Sequence, residues 1–102
     1  MGKNLYISSL LDVYGGFLSD KQRKITEHYY NDDLSLSEIA ENEGITRQGV
    51  SDLIRRTEAQ LTAFEEKCHY CERFLRLKEL ANIIDESEKP EIKEILNIID
   101  EL

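Results

Sequence analysis

A chain of 102 residues has room for one domain with an appendage, and it buries only roughly 60–65% of its unfolded surface, which leaves little space for a deep catalytic cavity. Thirteen Lys and Arg against 21 Asp and Glu give a net charge of −8 with neutral His, a field that repels polyanions at long range and leaves any nucleic-acid contact to a local basic patch. One Pro and five Gly among 33% charged and 40% apolar residues argue against disorder and a turn-rich β fold, and no apolar run exceeds three residues, too short for a transmembrane helix.

The start, Met1-Gly2-Lys3-Asn4-Leu5, leads into an amphipathic pattern rather than an apolar signal-peptide core. A cytoplasmic chain with two reduced Cys is therefore expected. Leu5, Ile7, Leu10, Leu11, Val13 and Tyr14 are spaced as one face of a helix over Leu5 to Tyr14. Gly15-Gly16 is expected to end it in a left-handed cap. Ser19 with Gln22 is a capping box for a second helix over Asp20 to Asn31, with Ile25, Tyr29 and His28 turned inward. Asn31-Asp32-Asp33 is a turn. Ser35 with Glu38 is a second capping box, opening a short helix through Glu43 that Gly44 stops. Thr46 is the N-cap of a fourth helix.

From Arg47 to Lys89 there is no Pro, and only Gly49 weakens helix propensity. Two seven-residue series, Val50/Thr57/Phe64/Cys71 and Ile54/Leu61/Cys68/Leu75, run along this stretch. A single helix of ~40 residues would be ~60 Å long and would need a partner helix to cover the stripe, which predicts a homodimer. A break near His69-Tyr70 is the alternative. Pro90 opens a last helix whose stripe is Ile92, Ile95, Leu96, Ile98 and Ile99. The chain thus divides into a domain at 1–66 and a helical extension at 67–102, packed on that domain or on a dimer partner.

Within Leu36–Leu53, Ile39, Ala40, Gly44, Ile45, Val50 and Leu53 form a tight constellation. Ala40 is small where a second helix crosses, Gly44 permits a positive φ, and the remaining side chains fill the wedge. This is the pattern of the helix-turn-helix that ends bacterial sigma factors, although Glu43 stands where such motifs often place an apolar residue. The fold class expected is all-α: a helix-turn-helix bundle resembling that sigma-factor region, without a wing, followed by a long C-terminal helical extension. In a nucleic-acid-reading version the outer face of the second helix is Arg47, Gln48, Ser51, Asp52, Arg55 and Arg56. Arg47 and Gln48 suit base edges, Arg55 or Arg56 suits phosphate, and Asp52 would accept from cytosine or repel a phosphate. Ser19–Gln60 holds six basic residues against nine acidic ones, an unusual balance for a DNA reader.

Cys68-His69-Tyr70-Cys71 supplies two ligands where zinc needs four, so no metal or cofactor is expected and the pair reads as a buried face or partner seam. Tyr29-Tyr30 reads as one buried and one rim ring. Glu65-Glu66 and the acidic run from Asp85 to Glu94 read as solvated faces. Nothing pairs a nucleophile with a base, and no Gly loop cradles phosphate, so the chain is not expected to be an enzyme.

Val13-Tyr14, Leu18, Lys21-Gln22, Tyr29-Tyr30, Asp32-Asp33-Leu34-Ser35-Leu36, Glu38-Ile39-Ala40-Glu41, Thr46-Arg47-Gln48-Gly49-Val50, Asp52 and Arg56-Thr57-Glu58 together resemble the YlxM family of small helix-turn-helix proteins of Gram-positive bacteria and mycoplasmas. The resemblance spans about residues 5–67, with Gly49 where the family pattern has Ala. Genes of that family typically neighbour those of the signal recognition particle GTPases. The resemblance therefore implies a regulatory role in co-translational protein targeting, through the particle's RNA or protein, and supplies no catalytic residues. Two further readings are a sequence-specific DNA-binding transcriptional regulator and a purely structural dimerisation module.

Overall fold

The computed structural model describes residues 4–84 and 89–101. Asp85 to Glu88, part of the predicted acidic run, lie outside them. Six α-helices occur: α1 Leu5–Tyr14, α2 Asp20–Tyr30, α3 Leu36–Glu43, α4 Arg47–Cys68, α5 Tyr70–Ile83 and α6 Pro90–Asp100. No strand is present among the described residues, and none of their helices is long and apolar enough to cross a membrane. The chain is all-α with a helix-turn-helix, as its patterning predicts.

The termini of the early helices follow from their caps. Asn4 Oδ1 accepts from the Tyr6 amide at the start of α1. Both capping boxes form: Ser19 and Gln22 exchange bonds of 3.2 Å at α2, and Ser35 and Glu38 exchange bonds of 3.1 Å at α3. The expected left-handed cap at Gly15 does not form. Gly15 keeps a right-handed φ of −54° and the chain tightens into a 3-10 turn over Gly15–Phe17 before turning at Leu18. That tight turn reverses the chain without a positive φ. At Gly44 the expectation holds, with φ at +68° and its amide bonded to the Ala40 carbonyl.

The chain resolves into two compact units, one reaching to Cys68 and the other starting at His69. In the first, α4 is the central strut and touches each of α1, α2 and α3. Leu10, Leu11, Tyr14, Ile25, Ile39, Val50, Ile54 and Leu61 are all but fully buried. Each such side chain contributes about 1.5–3 kcal/mol relative to exposure. Val50, Ile54, Thr57 and Leu61, the members of the two seven-residue series before Phe64, are consumed by this core. The stripe therefore needs no partner helix there, which corrects the reason given for a coiled dimer seam. The helix is not continuous either: α4 ends at Cys68, and His69 takes a left-handed φ of 55° before α5 begins.

Glu65 was expected on a solvated face and is instead 8% exposed, accepting a 2.6 Å bond from the Tyr14 hydroxyl. The two groups are brought together where α1 crosses α4, beside a Tyr14–Phe64 ring contact at 5.7 Å. Gln22 extends beyond its capping role, its amide nitrogen donating to Thr57 Oγ1 at 3.3 Å and to Gln60 Oε1 at 3.1 Å. Glu43, the departure from the sigma-type pattern, is half-buried and paired with Lys24 Nζ at 3.2 Å, so the charge is used to tie α2 to the end of α3.

In the second unit α5 packs against α6. Pro90 occupies the first turn of α6, where its missing N–H costs nothing. Of the predicted α6 stripe only Ile99 is deeply buried. Ile92 and Leu96 are half-buried, and Ile95 and Ile98 are exposed. Cys71 is buried and Cys68 half-buried, and neither is in a disulfide. Leu75, by contrast, is exposed.

Candidate nucleic-acid interface

The site is built by the turn between α3 and α4. Gly44 redirects the chain, and the Ile45 amide reaches back to the Ala40 carbonyl at 3.2 Å. Ile39, Ala40, Val50, Leu53, Ile54 and Ile25 close the wedge between the helices, with Tyr29, Tyr30, Leu34, Leu36 and Ile45 at its rim. Thr46 Oγ1 accepts from the Gly49 amide at 2.9 Å and fixes where α4 starts. This is a side-chain cap on a helix whose first residues point away from the core.

The six predicted site residues fall on the outward side of this turn and helix. Arg47, Gln48, Asp52, Arg55 and Arg56 are exposed and Ser51 is half-buried. They do not behave as one set. The Gln48 amide donates to Asp52 Oδ1 at 2.9 Å, so the two polar groups best suited to base edges occupy each other. Asp52, four residues before Arg56, has the spacing that would predict an ion pair, yet its carboxylate accepts from Gln48 instead. Arg47, Arg55 and Arg56 make no hydrogen bond or ion pair among the described residues. Arg23, the other Arg of this unit, is paired with Glu27 at 2.9 Å.

The sequence contributes in part to leaving the three guanidiniums free. None of them has an acidic residue four positions later: Ser51 follows Arg47, Ala59 follows Arg55 and Gln60 follows Arg56. Glu58, three residues after Arg55, accepts from the Tyr30 hydroxyl instead. Burial first, then that bond and the charge of the same Glu58, push the Tyr30 hydroxyl pKa well above its usual value. Tyr29 and Tyr30 are both half-buried, in edge contact at 5.0 Å, so the expected split into a core ring and a rim ring is not seen. His28 is half-buried and meets Asp32 at 2.8 Å rather than joining the core. Sequence reading missed the Tyr30–Glu58 pair and the Gln48–Asp52 pair. The four-residue spacing of the second was its available signal, and the first has no local one.

A shallow groove of about 640 Å³ continues from this face along α4, lined by Asn4, Ile7, Tyr30, Arg55, Ala59 and Thr62 among others. No cluster of three or more His, Cys, Asp or Glu able to hold a metal occurs among the described residues.

Capped turn, crossing helices and an outward α4 define a helix-turn-helix protein. The chain is a member of the UPF0122 family, described as "Putative helix-turn-helix protein, YlxM / p13 like", whose model matches residues 1–101. Among its relatives, a UPF0122 protein of Thermoanaerobacter sp. is 43% identical over 105 residues, covering 96% of this chain and 88% of the relative. One of Clostridium acetobutylicum is 36% identical over 107 residues, covering all of this chain and 92% of the relative. One of Shouchella clausii is 46% identical over 74 residues, covering 72% of this chain and 68% of the relative.

Proposed function

We propose that the protein is a cytoplasmic regulatory accessory of the signal recognition particle pathway, binding rather than catalysing, with the particle's RNA contacted by the outward face of α4. The family resemblance supplies the pathway. The observation that carries the ligand class is the trio of unpaired guanidiniums, Arg47, Arg55 and Arg56, exposed on one helix of a chain of net charge −8. Guanidiniums held clear of carboxylates keep their five donors for phosphate or base edges. Residues 1–66 act as the binding domain and 67–102 as a helical extension. Self-association is proposed through apolar side chains that α5 and α6 leave exposed, not through the stripe buried in α4.

A second reading, a DNA-binding transcriptional regulator, is favoured by the Thr46-capped start of α4, where Arg47 and Gln48 stand outermost. The Asp52 carboxylate and the local acidic excess weigh against it. A pull-down of the intact protein from a native extract, with and without nuclease, separates the two. Recovery of particle RNA, or of particle proteins that depend on it, supports the first reading. Recovery of a defined promoter fragment without particle components refutes it.

A further inference from the structure

Beside the guanidinium trio lies a smaller pocket that the helix-turn-helix does not require. It has a volume of about 140 Å³ and is lined by Tyr29, Leu36, Ser51, Ile54, Arg55 and Glu58. Its apolar lining comes from Ile54, which is buried, and from Leu36 and Tyr29, which are half-buried. Its polar groups are of opposite kinds. The Arg55 guanidinium has no partner among the described residues. Glu58 gives Oε1 to the Tyr30 hydroxyl, while no described group donates to Oε2. The Tyr30 bond also fixes the carboxylate, so a ligand would meet it already oriented.

A cavity the size of one nucleobase, with an aromatic wall, a carboxylate and a guanidinium, selects among the bases by their edges. A carboxylate accepts two parallel N–H donors. Guanine alone presents two adjacent donors, N1–H and the N2 amino group. Adenine and cytosine place a ring acceptor beside their amino group, and uracil flanks its single N–H with carbonyls, so each would set an oxygen or nitrogen lone pair against Glu58. Arginine in turn pairs bidentately with guanine O6 and N7. Tyr29 can stack on any base and so adds affinity without choosing. We propose that the Tyr29–Arg55–Glu58 pocket binds a guanine base, with Glu58 on its N1–H/N2 edge and Arg55 on its O6/N7 edge. The base can come from an unpaired nucleotide of a nucleic acid held on α4 or from a free guanine nucleotide. The inference rests on the nucleic-acid reading of that face for the first source.

The test is calorimetric titration of the intact protein with GMP, AMP, CMP and UMP, and with short single-stranded RNA oligonucleotides that carry one guanine or none. GMP, or the oligonucleotide with guanine, should bind at least about tenfold tighter than its counterparts, as expected for one bidentate base contact. Glu58→Gln should bring this preference to near parity, because its amide replaces an acceptor by a donor. Tyr30→Phe, which removes the bond to Glu58 but no lining residue, should keep a guanine preference and controls for loss of fold, as does an unchanged helical signal. Guanine preference in the oligonucleotides but not in the mononucleotides assigns the pocket to a nucleic acid. Equal preference in both assigns it to a free nucleotide. Equal binding of all four bases, or a guanine preference untouched by Glu58→Gln, overturns the proposal and leaves the pocket to a protein side chain. Oligonucleotide binding that needs Arg47 yet ignores base identity sinks the pocket alone. No oligonucleotide binding at all sinks the reading of the α4 face as well.

Discussion

Two glycines five residues apart should respond in opposite directions to the same methyl group. Gly49 is helical, three residues after the Thr46 cap. Replacing it with Ala recovers about 0.8–1 kcal/mol of helix propensity. The added Cβ would stand 3.1 Å from Thr46 Oγ1 and 4.0 Å from Ile45 Cδ1. The first contact is tight, so the cap must shift by a few tenths of an ångström. Capping boxes routinely carry a Cβ at this position, as Gln22 and Glu38 do at their own caps. A net gain of about 0.5 kcal/mol remains, and at about 4–8 °C per kcal/mol for a small domain the Tm rises by roughly 2–4 °C. Gly44 has open space around it, but its φ is +68°. There Ala costs about 1–2 kcal/mol in the left-handed region, so Tm falls by roughly 4–16 °C. Thermal melts by far-UV circular dichroism on the wild type and both variants decide the matter. A Gly49→Ala protein that melts lower would show that the Thr46 cap cannot give way, and a Gly44→Ala protein that melts higher would refute the assigned turn conformation.

Thr26 is fully buried with a hydroxyl that finds no hydrogen-bond partner among the described residues; Thr26→Val keeps the shape and should stabilise by about 1 kcal/mol in denaturant titration, whereas a loss would reveal a partner for that hydroxyl. The raised Tyr30 pKa means the folded state holds that proton more tightly than the unfolded chain, so its contribution is complete below the usual tyrosine value of 10.0 and is lost as pH rises above it. The stability gap between wild type and Tyr30→Phe should therefore shrink in alkaline melts, and a constant gap would contradict the shift. Arg47→Ala should weaken a specific nucleic-acid complex by about 1–3 kcal/mol, while Arg23→Ala, already paired with Glu27, should alter little beyond the salt dependence in a binding titration. Equal losses would remove the distinction between free and paired arginines. Finally, Leu75, Ile83, Ile95 and Ile98 are each more than half exposed; sedimentation at micromolar concentration should show a dimer that Ile83→Ser with Ile98→Ser disrupts, and a monomeric wild type would defeat self-association through this unit.

The parts of the fold that local rules govern were legible in advance. The 3- and 4-residue spacing of Leu10, Leu11 and Tyr14 marks α1, and the Ser19/Gln22 and Ser35/Glu38 boxes and Gly44 mark where α2 and α3 begin and end, because each signal acts within one turn of its own helix. Gly15, which keeps a right-handed φ, is a local signal that failed; two other misreadings share the opposite property. Glu65 looks like a solvent-facing charge until Tyr14, from another helix, reaches it. The seven-residue series looks like a seam for a second chain because the sequence does not say that α1, α2 and α3 all close on the same strut. Arg47, Arg55 and Arg56 were identifiable as a face by spacing, but their freedom from carboxylates depends on Tyr30 and Gln48 engaging Glu58 and Asp52.

That division of partners bears on how an acidic protein can hold a polyanion. At physiological salt a charge is felt over about 8 Å, so an approaching phosphate responds to its immediate neighbours rather than to the net −8. Along α4 those neighbours alternate. Arg47, Arg55 and Arg56 attract, while the exposed Asp52 and Glu66 and the half-buried Glu58 lie on the same helix. A uniform duplex laid along the helix would bring phosphates past both signs and gain little. A backbone that protrudes locally, as in a loop or bulge, can meet the guanidiniums and leave the carboxylates to the solvent. On the proposed reading of this face, the free arginines would set where contact is made and the acidic surround would suppress contact elsewhere, favouring a folded single-stranded element over random duplex without any need for a basic protein.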